Sequence, residues 1–337
     1  MQLPGGRAAA AVVIALAVVV LGGCASAPSA PAPAPSATPT LSPTKEPLPR
    51  AAAPAFAGDC SAALSDAELA VALGTPSARF SSDWSAAHTA GGILCTWRFG
   101  DWGTAHLTIY PVEIVAQEIA AAYALPSCDP EAADGMGTCS SSLTTDSSWI
   151  LIDFFGGGLS AASPPPGFDD ALATVAARLE SAGAPVAAER TAEWWSMVDC
   201  ASFAEEIDVA SRLGDDFDAG YPTDGVRHVS SAVAEAAGVM RTCEWYAYPG
   251  GGSANASVTI YAGAAPLWGS LVAGLDGAQP AQVVGATDAV AWVDPTEPNL
   301  FPGEGVLVSD GTNILAVRLE GSATDAPGFA VGVLAAL

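Results

Sequence analysis

The chain has 337 residues and a net charge of −25, and half of its residues are hydrophobic, so it is long enough for about two globular domains. From Asp59 onward there are eight arginines and 35 acidic residues, which gives this part of the chain a net charge of −27. A surface of that charge repels the phosphates of nucleic acids, which excludes them as partners.

The N-terminus has the pattern of a bacterial lipoprotein signal. Arg7 precedes an apolar run over residues 8–21, which is too short to cross a bilayer and predicts a signal peptide over 1–23. The run ends in Leu21-Gly22-Gly23-Cys24, which resembles the lipobox, in which the cysteine thiol receives a diacylglycerol. The resemblance implies that acyl chains on Cys24 anchor the protein to the extracytoplasmic face of the cell membrane. The alternative is an ordinary signal peptide followed by an incidental cysteine.

Residues 24–58 predict a disordered stalk. They consist mainly of Ala, Pro, Ser and Thr and include nine prolines, so they cannot bury enough apolar surface to fold. Fully extended at about 3.1 Å per residue, the stalk would reach roughly 100 Å from the membrane.

The rest of the chain contains one pattern twice. Residues 92–97 end in Cys-Thr-Trp and residues 238–245 end in Cys-Glu-Trp, and each is followed by a segment that ends in Thr-Ile-Tyr. Each copy also has an upstream cysteine fourteen residues before a glycine, namely Cys60 and Cys200. This repetition, at a spacing of 140 residues, predicts a tandem duplication with domains over 59–186 and 192–337.

Seven cysteines are present, and the six that follow Cys24 allow fifteen pairings. The duplication selects one of them, because each copy should repeat its own bond. The predicted pairs are Cys60 with Cys95, Cys200 with Cys243 and, by elimination, Cys128 with Cys139. Such disulfides persist in oxidising compartments, so the expected location is extracytoplasmic.

Each copy is predicted to open with a short helix and to continue as a hairpin. Ser65 and Glu68 have the spacing of a capping box at a helix start, and Ser202 and Glu205 repeat it in the second copy. The apolar residues over 93–99 alternate with a period of two, which indicates a strand.

The predicted order of elements in each copy is helix, two strands, helix, two strands, helix, or αββαββα. Adjacent hairpins form antiparallel sheets, so the predicted class is α+β, with about four strands per sheet and helices on one face. Trp97 and Trp245 each follow a cysteine by two residues and are expected in the core against a disulfide. Tyr110 and Tyr261 point to the other face of each sheet, which should therefore be partly apolar.

The sequence shows no motif for a metal, a cofactor or catalysis. His88, His106 and His228 are scattered, so we expect no transition-metal site and no cofactor. One acidic loop has the oxygen ligands of a weak Ca²⁺ site but lacks the glycine and glutamate of an EF-hand, and a solvated loop is the preferred interpretation. Its acidic residues are Asp215, Asp216, Asp218 and Asp224. No nucleophile is paired with a base, which favours a protein that is not an enzyme.

Two adjacent tryptophans, Trp194 and Trp195, lie at the junction between the copies. Two neighbouring indoles cannot both point into one core, so one of them should either join the domains or line the groove between them. The joining role is the preferred interpretation.

The motifs together resemble actinobacterial envelope lipoproteins of unknown function. That family begins, after a proline-rich stalk, with Asp-Cys, a helix ending in Leu-Gly, and later Gly-x-x-Cys-x-Trp. These elements are Asp59-Cys60, Leu73-Gly74 and residues 92–97 in the first copy, and Asp199-Cys200, Leu213-Gly214 and Cys243-Glu244-Trp245 in the second. The resemblance implies an envelope location and supplies no catalytic residues.

The expected function is that of a surface-tethered, non-catalytic lipoprotein that binds an unknown protein, peptide or cell-wall component. One alternative is an envelope solute-binding or sensor protein with a small apolar or cationic ligand in the interdomain groove. The other is a hydrolase whose site is not recognisable from its motifs.

Overall fold

In the computed structural model, each copy of the repeated sequence forms one antiparallel sheet of six strands with helices packed against it. The described residues are 50–79, 87–100, 103–129, 136–157, 165, 167–213, 228–247, 254–275, 277–294, 303–320 and 325–337. The predicted signal peptide, Cys24 and the acidic loop lie outside these ranges, and so do the candidate Ca²⁺ ligands Asp215, Asp216, Asp218 and Asp224.

The first repeat contains four α-helices and six strands within its described residues. Its helices are α1 (Cys60–Ala63), α2 (Asp66–Leu73), α3 (Gln117–Ala122) and α4 (Phe168–Ala182). Its strands are β1 (Ser77–Arg79), β2 (Ile93–Phe99), β3 (Gly103–Pro111), β4 (Ser127–Asp129), β5 (Met136–Thr144) and β6 (Ser148–Gly157). Short 3₁₀ helices cover Ala55–Gly58 and Val112–Ile114. The strand order in the sheet is β1-β2-β3-β6-β5-β4.

The second repeat builds an equivalent sheet with strand order β7-β8-β12-β11-β10-β9. Its helices are α5 (Cys200–Glu206), α6 (Val209–Leu213), α7 (Val229–Ala236), α8 (Trp268–Ala273) and α9 (Ala326–Ala336), with a 3₁₀ helix at Ala265–Leu267. Its strands are β7 (Met240–Ala247), β8 (Ala254–Tyr261), β9 (Gln279–Pro280), β10 (Asp288–Asp294), β11 (Gly303–Ser309) and β12 (Ile314–Glu320). The central pair β8–β12 corresponds to β3–β6 of the first repeat.

The α+β class and the antiparallel sheets are confirmed, but the predicted strand number and element order are wrong. Each sheet has six strands instead of about four. Three of the additional strands, β1, β4 and β9, are two or three residues long, and segments this short carry no readable alternation. In the second repeat three helices, α5 to α7, precede the first strand, so αββαββα does not describe it.

The Asp-Cys pairs at 59–60 and 199–200 start the first helix of each repeat. The Asp59 carboxylate accepts the backbone N–H of Ser61 at 2.8 Å, and the Asp199 carboxylate accepts that of Ser202 at 3.0 Å. Each aspartate is therefore an N-cap, and the cysteine beside it is the first helical residue. The capping box predicted for the second copy is replaced by this aspartate cap.

Three disulfides join the same cysteines that the sequence pairs. They are Cys60–Cys95, Cys128–Cys139 and Cys200–Cys243. Trp97 and Trp245 are fully buried in the core clusters that contain Cys95 and Cys243, as predicted. The Trp97 indole N–H also donates to a carboxylate oxygen of Asp66 at 2.9 Å.

Residues 50–58 are packed against the first repeat, although the sequence assigned them to the stalk. Ala53 exchanges two backbone hydrogen bonds with Val186, at 2.9 and 2.8 Å, in the segment between the repeats. Ala55 is fully buried, and Phe56 packs against the core. The predicted boundary of the stalk is therefore too late, because composition alone does not show that a short extended segment finds a pairing partner far away in the sequence.

The second face of the first sheet is covered partly by the α3 segment of its own repeat and partly by α7 of the second repeat. Tyr110 and Trp149, on β3 and β6, are fully buried in a cluster with Val229 and Val233 of α7. The Tyr110 hydroxyl donates to the backbone carbonyl of Ser230 at 2.8 Å. The partly apolar face expected from Tyr110 is thus an interface, and the two repeats form one compact unit. We call the surface between this face and α7 the seam.

Glu68 joins α2 to α4. The predicted capping box is present, because the Ser65 hydroxyl accepts the Glu68 N–H and the Glu68 carboxylate accepts the Ser65 N–H. The same carboxylate receives two hydrogen bonds from the guanidinium of Arg178, at 3.0 and 2.5 Å. Arg178 and Ser65 together lower the pKa of Glu68 from 4.5 to about 2.

We predict that Glu68→Gln removes an acid-sensitive part of the stability. Because the folded state lowers the pKa of Glu68, its contribution is present above about pH 4.5 and is lost as the pH falls towards 2. Urea unfolding should show the variant less stable than wild type at pH 7, with the difference shrinking below pH 4.5. Glu205→Gln, at an exposed glutamate of α5, is the control and should not show this pattern. An unchanged difference at every pH would contradict the prediction.

Candidate functional site at the seam

Two titratable residues face the seam from neighbouring strands of the first sheet. His106 on β3 is directly paired with Asp153 on β6. Since side chains alternate along a strand, His106 points away from the core that holds Ala105 and Leu107. The His106 Nδ1 lies 3.0 Å from the Asp153 Oδ1, at hydrogen-bond distance.

The third member of the cluster comes from the second repeat. His228 is the N-cap of α7, where its Nδ1 accepts the backbone N–H of Ser230 at 3.2 Å. The Ser230 hydroxyl lies 2.7 Å from the same nitrogen. The other nitrogen, Nε2, faces the Asp153 Oδ2 at 3.5 Å, and the two imidazole rings are 4.2 Å apart between centroids, edge to face. Helix α7, which packs against the first sheet at the seam, therefore also places His228 beside His106 and Asp153.

Asp153 is the centre of the cluster, and the exposed fraction of its side chain is 23%. Burial alone would raise the pKa of Asp153, but hydrogen bonds and charge from His106 and His228 outweigh it and hold the pKa below its usual value. The carboxylate is therefore ionised at neutral pH. The contact between its Oδ2 and the facing His228 Nε2 is long, at 3.5 Å, and neither of these buried atoms has a closer polar partner.

The arrangement of Ser230, His228 and Asp153 contains the residue types of a catalytic triad, but its geometry does not suit one. The Ser230 residue is only 5% exposed, so a substrate cannot approach its hydroxyl. That hydroxyl also lies in the first turn of α7, where it contacts the capping imidazole. The cluster is better suited to holding a cation than to activating a nucleophile.

The sequence interpretation that the histidines are scattered is wrong for His106 and His228. They lie 122 residues apart in the chain, and only the pairing of β3 with β6 and the packing of α7 bring them together. Comparison of the two copies does contain one indication that His106 has a special role. Residues 105–110 read Ala-His-Leu-Thr-Ile-Tyr and residues 256–261 read Ala-Ser-Val-Thr-Ile-Tyr, so the histidine interrupts an otherwise similar segment.

A cavity of about 260 Å³ lies near the junction between the repeats. Trp194 lines it together with small and apolar residues, namely Ala51, Ala52, Pro54, Ala188, Gly263, Pro266 and Leu267. Three ionisable residues, Arg50, His88 and Glu189, also belong to the lining. The hydroxyls of Thr89 and Thr191, which also belong to lining residues, are buried and have no hydrogen-bond partner. The cavity thus combines an aromatic wall with a lining of both apolar and ionisable residues.

The two tryptophans at the junction have different positions. Trp195 packs against the core of the second repeat. Trp194 packs against the buried residues of the seam and over Gly263. A Cβ added to Gly263 would lie 2.2 Å from the indole. The guanidinium of Arg190 lies 5.7 Å from the centre of the Trp194 ring, within cation–π range. Trp194 therefore both contacts the seam and lines the cavity.

Asn313 fixes the position of these tryptophans. It is fully buried, and its Oδ1 accepts the backbone N–H groups of Trp195 at 3.1 Å and of Gly263 at 3.0 Å. Its Nδ2 donates to the Glu193 carbonyl and to an Asp310 carboxylate oxygen, both at 2.9 Å. One side chain thus joins the junction segment to the turn between β11 and β12.

No known protein family, curated protein or solved structure matches this chain in comparisons of sequence or fold. No helix among the described residues is long and apolar enough to span a membrane.

We predict that Asn313→Ala destabilises the protein by about 3 kcal/mol, because two backbone N–H groups lose their acceptor inside the fold. Urea unfolding followed by tryptophan fluorescence measures the change. Asn255→Ala is a matched control, since the Asn255 Oδ1 already lacks a hydrogen-bond partner, and it should cost far less. Equal losses in the two variants would show that the Asn313 contacts do not hold the junction.

Proposed function

We propose that the protein is a lipid-anchored, non-catalytic binding protein of the extracytoplasmic envelope, and that its ligand occupies the cavity beside Trp194. The lipobox-like sequence at Cys24 and the proline-rich stalk support the anchor. Three disulfides support an oxidising compartment. Among the described residues, the Ser230 geometry gives no reason to prefer a hydrolase.

The observation that carries the binding role is the cavity itself, which places the Trp194 indole beside both apolar and polar lining residues. Arg50, His88 and Glu189 belong to this lining and supply polar groups at the edge of the aromatic wall. Trp194 offers an aromatic surface for the apolar part of a ligand. A pocket that combines an apolar wall with a few converging polar groups has the general character of a small-molecule site.

Size and charge narrow the class of ligand. A cavity of about 260 Å³ suits a molecule of one ring. The charge of −27 from Asp59 onward disfavours anions. A neutral or cationic ring compound with hydroxyl groups fits best, and a single sugar unit of the cell wall has this chemistry. This favours a wall component over a folded protein as the partner.

We predict that Trp194→Ala lowers the affinity for such a ligand about tenfold, or about 1.4 kcal/mol, because the aromatic wall is lost. Intrinsic fluorescence and calorimetry of the full-length protein in detergent, titrated with N-acetylated amino sugars and short wall-glycan fragments, measure this. Trp292→Ala removes a half-buried tryptophan that does not line the cavity and should leave binding unchanged. An unchanged affinity in the Trp194 variant, or no binding of any of these sugars by wild type, would contradict the proposal.

The anchor has a test of its own. Cys24→Ala should prevent acylation and move the protein from the membrane fraction to the soluble extracytoplasmic fraction, because one thiol carries the lipid. Intact-mass spectrometry of the membrane-extracted wild type should show the added acyl mass on an N-terminal cysteine. An unmodified Cys24 in wild type would contradict the proposed lipid anchor, but it would not contradict the proposed ligand cavity.

A further inference from the structure

We infer that His106, Asp153 and His228 form a binding site for a divalent transition metal ion of the Zn²⁺ class, with ligands from both repeats. Within the part of the chain that the structure describes, these three side chains bring their ligand atoms within 4.8 Å of one another. The site is distinct from the proposed ligand cavity, and neither proposal depends on the other.

The donor set selects the class of metal. Two imidazoles and one carboxylate are a common set of protein ligands in zinc sites that keep a further position for water or another ligand. Imidazole nitrogen suits Zn²⁺, Cu²⁺ and Ni²⁺, whereas Mg²⁺ and Ca²⁺ prefer oxygen ligands throughout. A site with two histidines out of three ligands therefore favours a transition metal over the alkaline-earth ions.

The ligand atoms lie close enough for side-chain rotations to place them around one small ion. In a tetrahedral site with bonds of about 2.0–2.1 Å, neighbouring ligand atoms lie about 3.3 Å apart. The contact between His106 Nδ1 and Asp153 Oδ1 is 3.0 Å, and the contact between His228 Nε2 and Asp153 Oδ2 is 3.5 Å. The two contacts involve different carboxylate oxygens, and the ligand atoms of the three residues lie within 4.8 Å of one another, so side-chain rotations must bring them closer together to bind one ion.

The unsatisfied polar atoms of the cluster are a second reason to expect a bound ion. Asp153 Oδ2 and His228 Nε2 are buried, face each other and lack a hydrogen-bond partner. Unpaired buried polar atoms are unfavourable, and most of those in native proteins have a partner, a water or an ion. A cation between these two atoms would satisfy both of them at once.

Ser230 is suited to orient the His228 ligand. A metal-bound histidine usually donates its other ring N–H to an oxygen, which fixes the ring and its tautomer. The Ser230 Oγ lies 2.7 Å from His228 Nδ1, where it can accept that N–H. When Nε2 binds the ion, Nδ1 must carry the ring proton, so Nδ1 gives up the backbone N–H of Ser230 that it accepts in the structure and donates to the Ser230 Oγ instead. We therefore assign Ser230 as a positioning residue.

The second repeat shows that the fold itself does not require this cluster. Strands β8 and β12 correspond to β3 and β6, and in their register Ser257 pairs with Arg318 where His106 pairs with Asp153. A serine is thus compatible with the strand position of His106, and an arginine replaces the carboxylate. The ligands belong to the first sheet and to the seam, not to the repeated architecture.

The experiment is metal titration of the full-length protein, purified in detergent and stripped with a chelator. Wild type should retain one Zn²⁺ per chain after dialysis, show rising thermal stability with added Zn²⁺, and give the visible spectrum of a low-coordinate site with Co²⁺. The double variant His106→Ser and His228→Asn should lose at least tenfold in Zn²⁺ affinity and lose the Co²⁺ spectrum. Serine occurs at the equivalent position 257, and asparagine is a good N-cap, so this variant should fold.

Ser230→Ala tests the positioning role, and Ser257→Ala is the matched control. The first should lower Zn²⁺ affinity about 10–100-fold while still binding one ion, and the second should change nothing. Failure of wild type to retain Zn²⁺ would overturn the site. Equal retention by wild type and the double variant would also overturn it, and would assign the bound metal to the acidic surface instead. Should the double variant not fold, the Co²⁺ spectrum of Ser230→Ala compared with Ser257→Ala decides the same question.

Discussion

The burial of the second face of the first sheet under α7 is the contact on which the architecture of both candidate sites depends. An antiparallel sheet commonly leaves one face to water, but Tyr110 and Trp149 make this face apolar, and it needs a cover. Helix α7 supplies Val229 and Val233 for that purpose. The same packing sets the position of its first turn, and with it the position of His228. A hydrophobic contact thus determines where the polar groups meet.

The features that the sequence predicts well are local or repeated. The Ser65–Glu68 capping box and the disulfide partners follow from spacing within one turn or from comparison of the copies. Short edge strands such as β4 and β9 cannot be predicted in this way, because two or three residues are too few to show the alternation of apolar and polar side chains. The packing of residues 50–58 cannot be predicted from local spacing either, since Val186, with which Ala53 pairs, is remote in the sequence.

The His106–Asp153–His228 cluster shows the same limit at the level of the site. The cross-strand pair needs the register of β3 on β6, and the third residue needs the docking of a helix from the other repeat. Neither can be read from spacing, so no motif search finds the cluster. The place of Trp194 and Trp195 at the junction is visible in the sequence, yet only the packing shows that Trp195 enters the core of the second repeat and that Trp194 lines the cavity.

The duplication explains why the polar groups gather on one side only. Once two copies of a fold join through unequal surfaces, equivalent positions experience different environments. His106 lies at the seam, near His228 and Asp153, whereas its counterpart Ser257 pairs with Arg318 on a sheet whose corresponding face packs against α8. A histidine at position 257 would lack both the facing carboxylate and the second imidazole. Ligands from two repeats can therefore converge at this seam without any change to the second sheet, and a cation bound there would link the repeats through the same contact that holds them together.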